Sequence, residues 1–158
     1  MAKAGTVEDL IVKLKGLTTF VRVSASNAID DNKEDILDLN KAQMLVLGVD
    51  NEGDQLGIYA PFTVQEREKK GLQTEFIDLR FTGEFQDKMV VEKTDLAKFE
   101  LTSTDSKWEN KLEPQFPDAL GLTNENEDKL TKDLITQIDK DVDEYLEPNQ
   151  QSRVLQEA

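Results

Sequence analysis

Residues 50–85 read DNEGDQLGIYAPFTVQEREKKGLQTEFIDLRFTGEF. The stretch joins an acidic, glycine-containing turn to a short basic helix and then to a segment in which apolar and charged residues alternate. Gly53 allows the sharp turn. Thr63 is a suitable N-cap for a helix at residues 64–70, and Gly71 is suited to ending it. The first half of the stretch therefore predicts a turn followed by a helix.

The second half predicts a β-strand. Ile77, Leu79 and Phe81 alternate with Asp78 and Arg80, which is the pattern of a strand with one buried face. The dipeptide after Phe81, Thr-Gly, ends the strand.

Two more strands are predicted downstream, at residues 89–92 and 99–103, with a polar turn at 93–95. Together the three strands would form an antiparallel meander. One helical turn is predicted at residues 84–88, before the second strand.

Helices are predicted on either side of these strands. The first begins near Thr6; beyond Gly16 its β-branched residues also allow a short strand at 18–23. An amphipathic helix follows and ends at Gly48, and a short helix is expected around 106–112. A long helix begins at 123 or 124 and ends before Pro148.

We therefore predict an α+β fold in which a small antiparallel sheet, of about three to four strands, is flanked by N-terminal, central and long C-terminal helices. Residues 1–146 would form a single domain, and residues 147–158 a polar C-terminal tail that is disordered in isolation.

The amino-acid composition excludes several classes of function. Nineteen basic residues stand against 33 acidic ones, a net charge of −14, which repels nucleic-acid phosphates and anionic membranes. The chain contains neither cysteine nor histidine, so disulfides, thiolate chemistry and the usual zinc ligands are excluded. No stretch is long and apolar enough to span a membrane. We expect a protein that stays in the cytoplasm where it is made unless it leaves inside an assembly.

No motif for catalysis or cofactor binding is present. P-loop, dinucleotide and HExxH patterns are missing. An EF-hand loop starting at Asp50 fails because Gln55 stands in the place of its glycine and Pro61 in that of its closing glutamate. Asp105 and Lys107 could form a ligand corner beside Trp108, but a tryptophan anchoring a helix on the sheet is the preferred interpretation. We predict that the protein is not an enzyme and holds no cofactor or metal.

Aromatic and basic side chains offer surfaces for subunit contact, because rigid aromatics dominate interface energetics. The basic run at 66–70 is also compatible with a solvated face, and the aromatics with a core. The candidate subunit-interface residues are Tyr59, Phe62, Arg67, Lys69, Lys70, Phe85 and Tyr145.

Five short motifs carry a resemblance to a known family by their order along residues 50–145. They are GDQLGIY at 53–59, EKK at 68–70, IDLRFTGEF at 77–85, STDSK at 103–107 and GLTNE at 121–125. In this order they resemble the neck or tail-completion proteins of tailed bacteriophages of gut Bacteroidetes, crAss-like phages included. The first fifty residues and the acidic tail depart from the family pattern.

The resemblance implies a virion structural protein. It implies copies of the chain in a ring at the head–tail connector, between the portal–capsid vertex and the tail, around the channel through which DNA passes without specific binding. The implied partners are the portal or adaptor and other tail proteins, and the implied location is the neck or tail of a virion made in the host cytoplasm.

Two other classes stay open from the sequence. A small acidic DNA mimic could occupy the basic groove of a host nuclease or other DNA-binding protein. A hydrolase using paired carboxylates is disfavoured, because neither a metal motif nor an activating base is visible.

Overall fold

The computed structural model describes residues 6–146. The predicted polar tail at 147–158 lies outside the described residues. Five α-helices and one β-hairpin are formed in the described part, in the order α1 Val7–Asp31, α2 Lys33–Ala42, α3 Pro61–Lys69, α4 Glu84–Asp87, β1 Met89–Asp95, β2 Lys98–Ser103 and α5 Asn124–Leu146. The α+β class and the long C-terminal helix are confirmed.

Helix α1 confirms the predicted helix near Thr6 and continues through Gly16 to Asp31. The alternative, a strand at 18–23, is wrong. The β-branched residues remain helical because this helix packs along α5, and tertiary packing overrides the small cost in helix propensity.

The two long helices run antiparallel. Gln137 of α5 donates a hydrogen bond to Asp31 Oδ2 at 2.8 Å, and Ser24 donates to the carboxylate of Asp141. Further along, the rings of Phe20 and Tyr145 stack at 4.3 Å. Rising numbers on α5 meet falling numbers on α1, so the end of α5 lies beside the middle of α1.

The predicted helix ending at Gly48 is confirmed. It consists of α2 and a π-helical turn at Gln43–Leu47, and Gly48 ends it at φ 66°. A Cβ at Gly48 would lie 2.2 Å from the Phe76 ring. Gly48 therefore ends the helix in a left-handed conformation, and its lack of a side chain leaves room for the Phe76 ring.

Two buried amides attach this helix to the start of α5. Asn40 Nδ2 donates to Gly121 O at 2.6 Å, and Gln43 Nε2 donates to the same oxygen at 3.0 Å. Gln43 Oε1 accepts from Thr123 N at 2.9 Å and from Asn126 Nδ2 at 2.7 Å. The position of α5 thus depends on hydrogen bonds from side chains that the hydrophobic pattern does not reveal.

The sheet has two strands instead of the three to four predicted. Strands β1 and β2 pair antiparallel with Met89 opposite Ser103 and Lys93 opposite Phe99. The predicted turn at 93–95 is wrong, because β1 continues to Asp95 and the chain turns at Leu96 and Ala97.

The strand predicted at residues 75–81 is absent from the described fold. Asp78 is buried, and its carboxylate accepts hydrogen bonds from several side chains and from Arg80 N at 2.8 Å. Leu79 adopts a left-handed φ of 55°, which a strand cannot contain. The apolar–charged alternation here arises from a loop wound around a buried charge.

Helix α3 begins earlier than predicted. Ala60 is its N-cap and Pro61 its first residue, a position that proline favours because its fixed φ suits the first turn and it has no N–H to satisfy. Thr63 therefore lies inside the helix and does not cap it. The predicted helices near 84–88 and 106–112 are confirmed as α4 and a π-helical turn at Trp108–Leu112.

One apolar core joins α1, α2, the hairpin, the π-helical turn and α5. It buries aliphatic and aromatic residues from each of them: Ile29, Ile36, Leu37, Met44, Phe85, Met89, Val91, Trp108, Ala119, Leu120, Leu122 and Leu130. None of the helices in the described part has the length and hydropathy that a membrane span requires.

Candidate functional site

A buried charged pair lies at the centre of the 57–83 segment. Arg67 on α3 is 1% exposed, and its Nη2 lies 2.8 Å from Asp78 Oδ2. The guanidinium also donates from Nε to Gln73 O at 2.7 Å and from Nη1 to Arg80 O. These contacts fix the loop that follows α3 against the helix.

Tyr59 and Gln73 complete the shell around Asp78. The Tyr59 hydroxyl donates to Asp78 Oδ1 at 2.7 Å, and Gln73 Nε2 donates to Oδ2 at 2.7 Å. The Arg67 guanidinium lies 4.2 Å from the centre of the Tyr59 ring, in cation–π geometry. Together with Arg67 Nη2 and Arg80 N, these donors give each carboxylate oxygen of Asp78 two hydrogen bonds. The carboxylate therefore connects α3 to the segments before and after it.

The protonation of the Tyr59 hydroxyl should make the stability of the fold depend on pH. Burial, together with the hydrogen bond to the Asp78 carboxylate, raises the pKa of Tyr59 to about 12. Unfolded tyrosine ionises near pH ~10, so between these values the folded state keeps a proton that the unfolded state loses. The free energy of unfolding should therefore fall as pH rises through that window.

We expect Tyr59→Phe to lose less stability over that window than the parent chain, measured by urea unfolding at a series of alkaline pH values. All other titratable groups are the same in both proteins, so the difference between the two curves isolates Tyr59. Parallel curves would contradict the assignment.

The structure separates the predicted interface residues into exposed and internal ones. Phe62 is 73% exposed. Lys69 is exposed and pairs with Glu66 at 2.6 Å, and Lys70 lies 4.7 Å from the centre of the Phe81 ring. For these side chains the interface role stays a prediction.

Arg67 and Phe85 lie inside the chain, and Tyr59 lies partly inside it. The solvated-face interpretation of the basic run is wrong at Arg67, because its charge is neutralised within the fold. Tyr59 is half-buried with its hydroxyl bonded to Asp78. Phe85 is 4% exposed and stacks on Trp108 with ring centres 5.4 Å apart, so the core alternative applies to it.

The ligand corner at residues 105–108 is a helix start. Asp105 Oδ1 accepts a hydrogen bond from Lys107 N at 2.9 Å, and the Lys107 ammonium pairs with Glu84 at 3.0 Å. Lys107, helped by Lys88, holds the pKa of the Glu84 carboxyl below its usual value. Trp108 is buried in the core and stacks on Phe85.

Tyr145 is 43% exposed and connects the last turn of α5 to the middle of α1. Its ring stacks on Phe20, and a Cβ at Gly16 would lie 2.8 Å from its hydroxyl oxygen. Part of the ring is therefore occupied within the chain, and part of it faces solvent.

Sequence reasoning missed two exposed apolar surfaces. One is the first half of α1, where Val7, Ile11, Val12 and Leu14 are exposed; these apolar residues are visible in the sequence, but their spacing alone does not show whether they are buried or exposed. The other is Ile58, which is 80% exposed. Ile58 borders a cleft of about 350 Å³ between the 58–63 and 77–81 segments and residues 112–116.

A larger groove of about 600 Å³ lies between β2 and α5. Phe99 and Leu101 line one side, and Leu130 and Leu134 line the other. Its lining is mainly apolar. Within residues 6–146, no group of three or more acidic side chains is arranged to hold a metal ion.

No protein-family model, curated protein or solved structure matches this chain.

Proposed function

We propose that this chain is a structural subunit of a tailed-phage virion. Copies of it would form a ring in the neck or tail, join the portal–capsid vertex to the tail and surround the DNA channel. The subunit works through shape and repeated contact instead of chemistry.

One observation carries the proposal. Val7, Ile11 and Leu14 lie at i, i+4 and i+7 on α1, which places them on one side of the helix, and they are 45–68% exposed. Single exposed apolar residues are ordinary, but a row of them on one helix side is typical of a protein contact. A subunit that meets neighbours through this helix would remove the row from water.

Two further points support it. The order of motifs along residues 50–145 resembles that of phage neck and tail-completion proteins. The net charge of −14 suits a ring around DNA, because an acidic lining repels phosphates and lets the genome slide.

The test is the mass distribution of the purified protein at low ionic strength and at about 0.15 M salt. Native mass spectrometry gives the masses, and negative-stain imaging gives the shape of any large species. We expect closed rings of several copies, and apolar contacts should keep them intact at the higher salt concentration.

Other outcomes are informative. A monomer that copurifies with phage particles would place ring formation under the control of virion partners. A monomer that is absent from particles would contradict the proposal. Tight binding to a basic DNA-binding protein, lost steeply with salt, would favour the DNA mimic instead.

A further inference from the structure

The first turns of α1 extend past the described part of α5. Tyr145, next to the last described residue of α5, contacts Phe20 and approaches Gly16. Residues 7–15 continue at least two further helical turns beyond that level. Among residues 6–146, α5 therefore does not reach the row formed by Val7, Ile11 and Leu14, which we call the α1 row.

The outer side of α5 carries a second apolar row. Ile135 and Leu146 are exposed, and Val142 is half-buried. Ile135 and Val142 are seven residues apart, as are Val7 and Leu14. Equal spacing of two turns allows the two rows to interdigitate as helices do in a coiled-coil seam. We call the row on α5 the α5 row.

Charge favours a contact between these two rows. Residues 7–22 of α1 contain three basic and two acidic residues, a net charge of +1, in a chain whose total is −14. Helix α5 contains eight acidic residues and three lysines, a net charge of −5. Exposed Lys15 flanks the α1 row, and exposed Asp139 and Asp143 lie beside the α5 row.

We propose that the α1 row of one copy packs against the α5 row of the next copy, with Lys15 facing the acidic side chains of α5. The inference rests on the proposed function, because it names the surfaces by which copies of the chain would meet. The two rows are different surfaces, so each copy uses one and offers the other. Such a head-to-tail contact repeats from copy to copy and closes into a ring when the rotation allows it.

Cysteine crosslinking tests the pairing directly, because the chain has no cysteine of its own. One variant carries Ile11→Cys, and two others carry Ile135→Cys and Leu146→Cys. Each is oxidised alone and in mixtures, and dimers are scored on a denaturing gel without reductant. We expect dimers only when the α1 variant is mixed with an α5 variant; the α5 position that reacts gives the direction of the helices.

The other results overturn the inference in different ways. Dimers of Ile11→Cys alone would indicate a symmetric α1–α1 contact. Rings by mass spectrometry without mixed crosslinks would place the contact elsewhere and leave the proposed function standing. No assembly of the parent chain, alone or with phage particles, would remove the proposed function itself.

Two matched substitutions test the apolar residues of the proposed contact between the two rows. Ile11→Asp should raise the concentration at which rings form at least tenfold. Val12→Asp, one residue away and on a different side of the helix, should have a much smaller effect. Both residues are exposed, so neither change should alter the melting temperature of the monomer appreciably. Equal effects of the two variants would contradict the role of the α1 row.

Charge reversal tests the charged residues of the proposed contact between the two rows. Lys15→Glu should weaken assembly, and adding Asp139→Lys and Asp143→Lys should restore it at least in part. Lys111→Glu, in the π-helical turn at Trp108–Leu112, is the control for net charge. Failure of the α5 reversals to rescue Lys15→Glu would show that Lys15 does not face α5 of a neighbour.

Discussion

Arg67→Met should lower the free energy of unfolding by about 3–5 kcal/mol, because removing one partner of a buried ion pair leaves the other charge uncompensated. Arg67 and Asp78 are both almost fully buried. The substitution would also leave the carbonyls of Gln73 and Arg80 without the donors that now bond them. Chemical denaturation followed by circular dichroism measures the loss.

Lys69→Met on the same helix is the matched control. Lys69 is exposed and pairs only with Glu66 among the contacts described, so we expect a change within about 0.5 kcal/mol. In the double variant Arg67→Met, Asp78→Asn, the loss should be smaller than the sum of the two single losses, because both singles break the same interaction. Similar effects of Arg67→Met and Lys69→Met would show that the buried pair does not hold the loop.

Phe85→Ala should lower the free energy of unfolding by about 3–5 kcal/mol, the usual range for removing a buried aromatic side chain. Phe85 stacks on Trp108 inside the core, and the substitution would open a cavity beside the indole. Thermal and urea unfolding of the monomer measure the effect, and the indole fluorescence of Trp108 reports the change locally.

Phe62→Ala is the matched control, since the same ring is removed from an exposed position. We expect its unfolding free energy to stay within about 0.5 kcal/mol of the parent. If Phe62→Ala also weakens assembly, the predicted interface role of Phe62 gains support. A Phe85→Ala variant as stable as the parent would contradict its place in the core.

Helices were the predictable part of this fold. The periodicity of α5 and the helix that ends at Gly48 are local signals, and the structure confirms both. The predicted stop before Pro148 lies outside the described residues. The hairpin was found for the same reason, although its turn lies at Leu96 and Ala97 instead of at 93–95.

The prediction of a third strand was wrong for a non-local reason. Residues 77–81 alternate as a strand does, yet Asp78 bonds to Arg67, eleven residues earlier, and to Tyr59, nineteen residues earlier. Periodicity cannot distinguish a charge that faces water from one that meets a buried partner. Periodicity also does not show whether an apolar side chain is buried or exposed. For these reasons Arg67 and Phe85 were predicted as interface residues, and the α1 row was not recognised.

The pairing of α1 with α5 has a consequence for the order of folding. The hydrogen bond between Ser24 and Asp141 spans 117 positions of sequence, and contacts of such separation form late because a long loop must close first. On the ribosome, α1 must wait for almost the entire described chain before its partner helix emerges. The acidic residues of α5 that the proposed neighbour contact requires follow the last residue of the described core, Leu130, so a nascent chain cannot offer them before its core residues have been made.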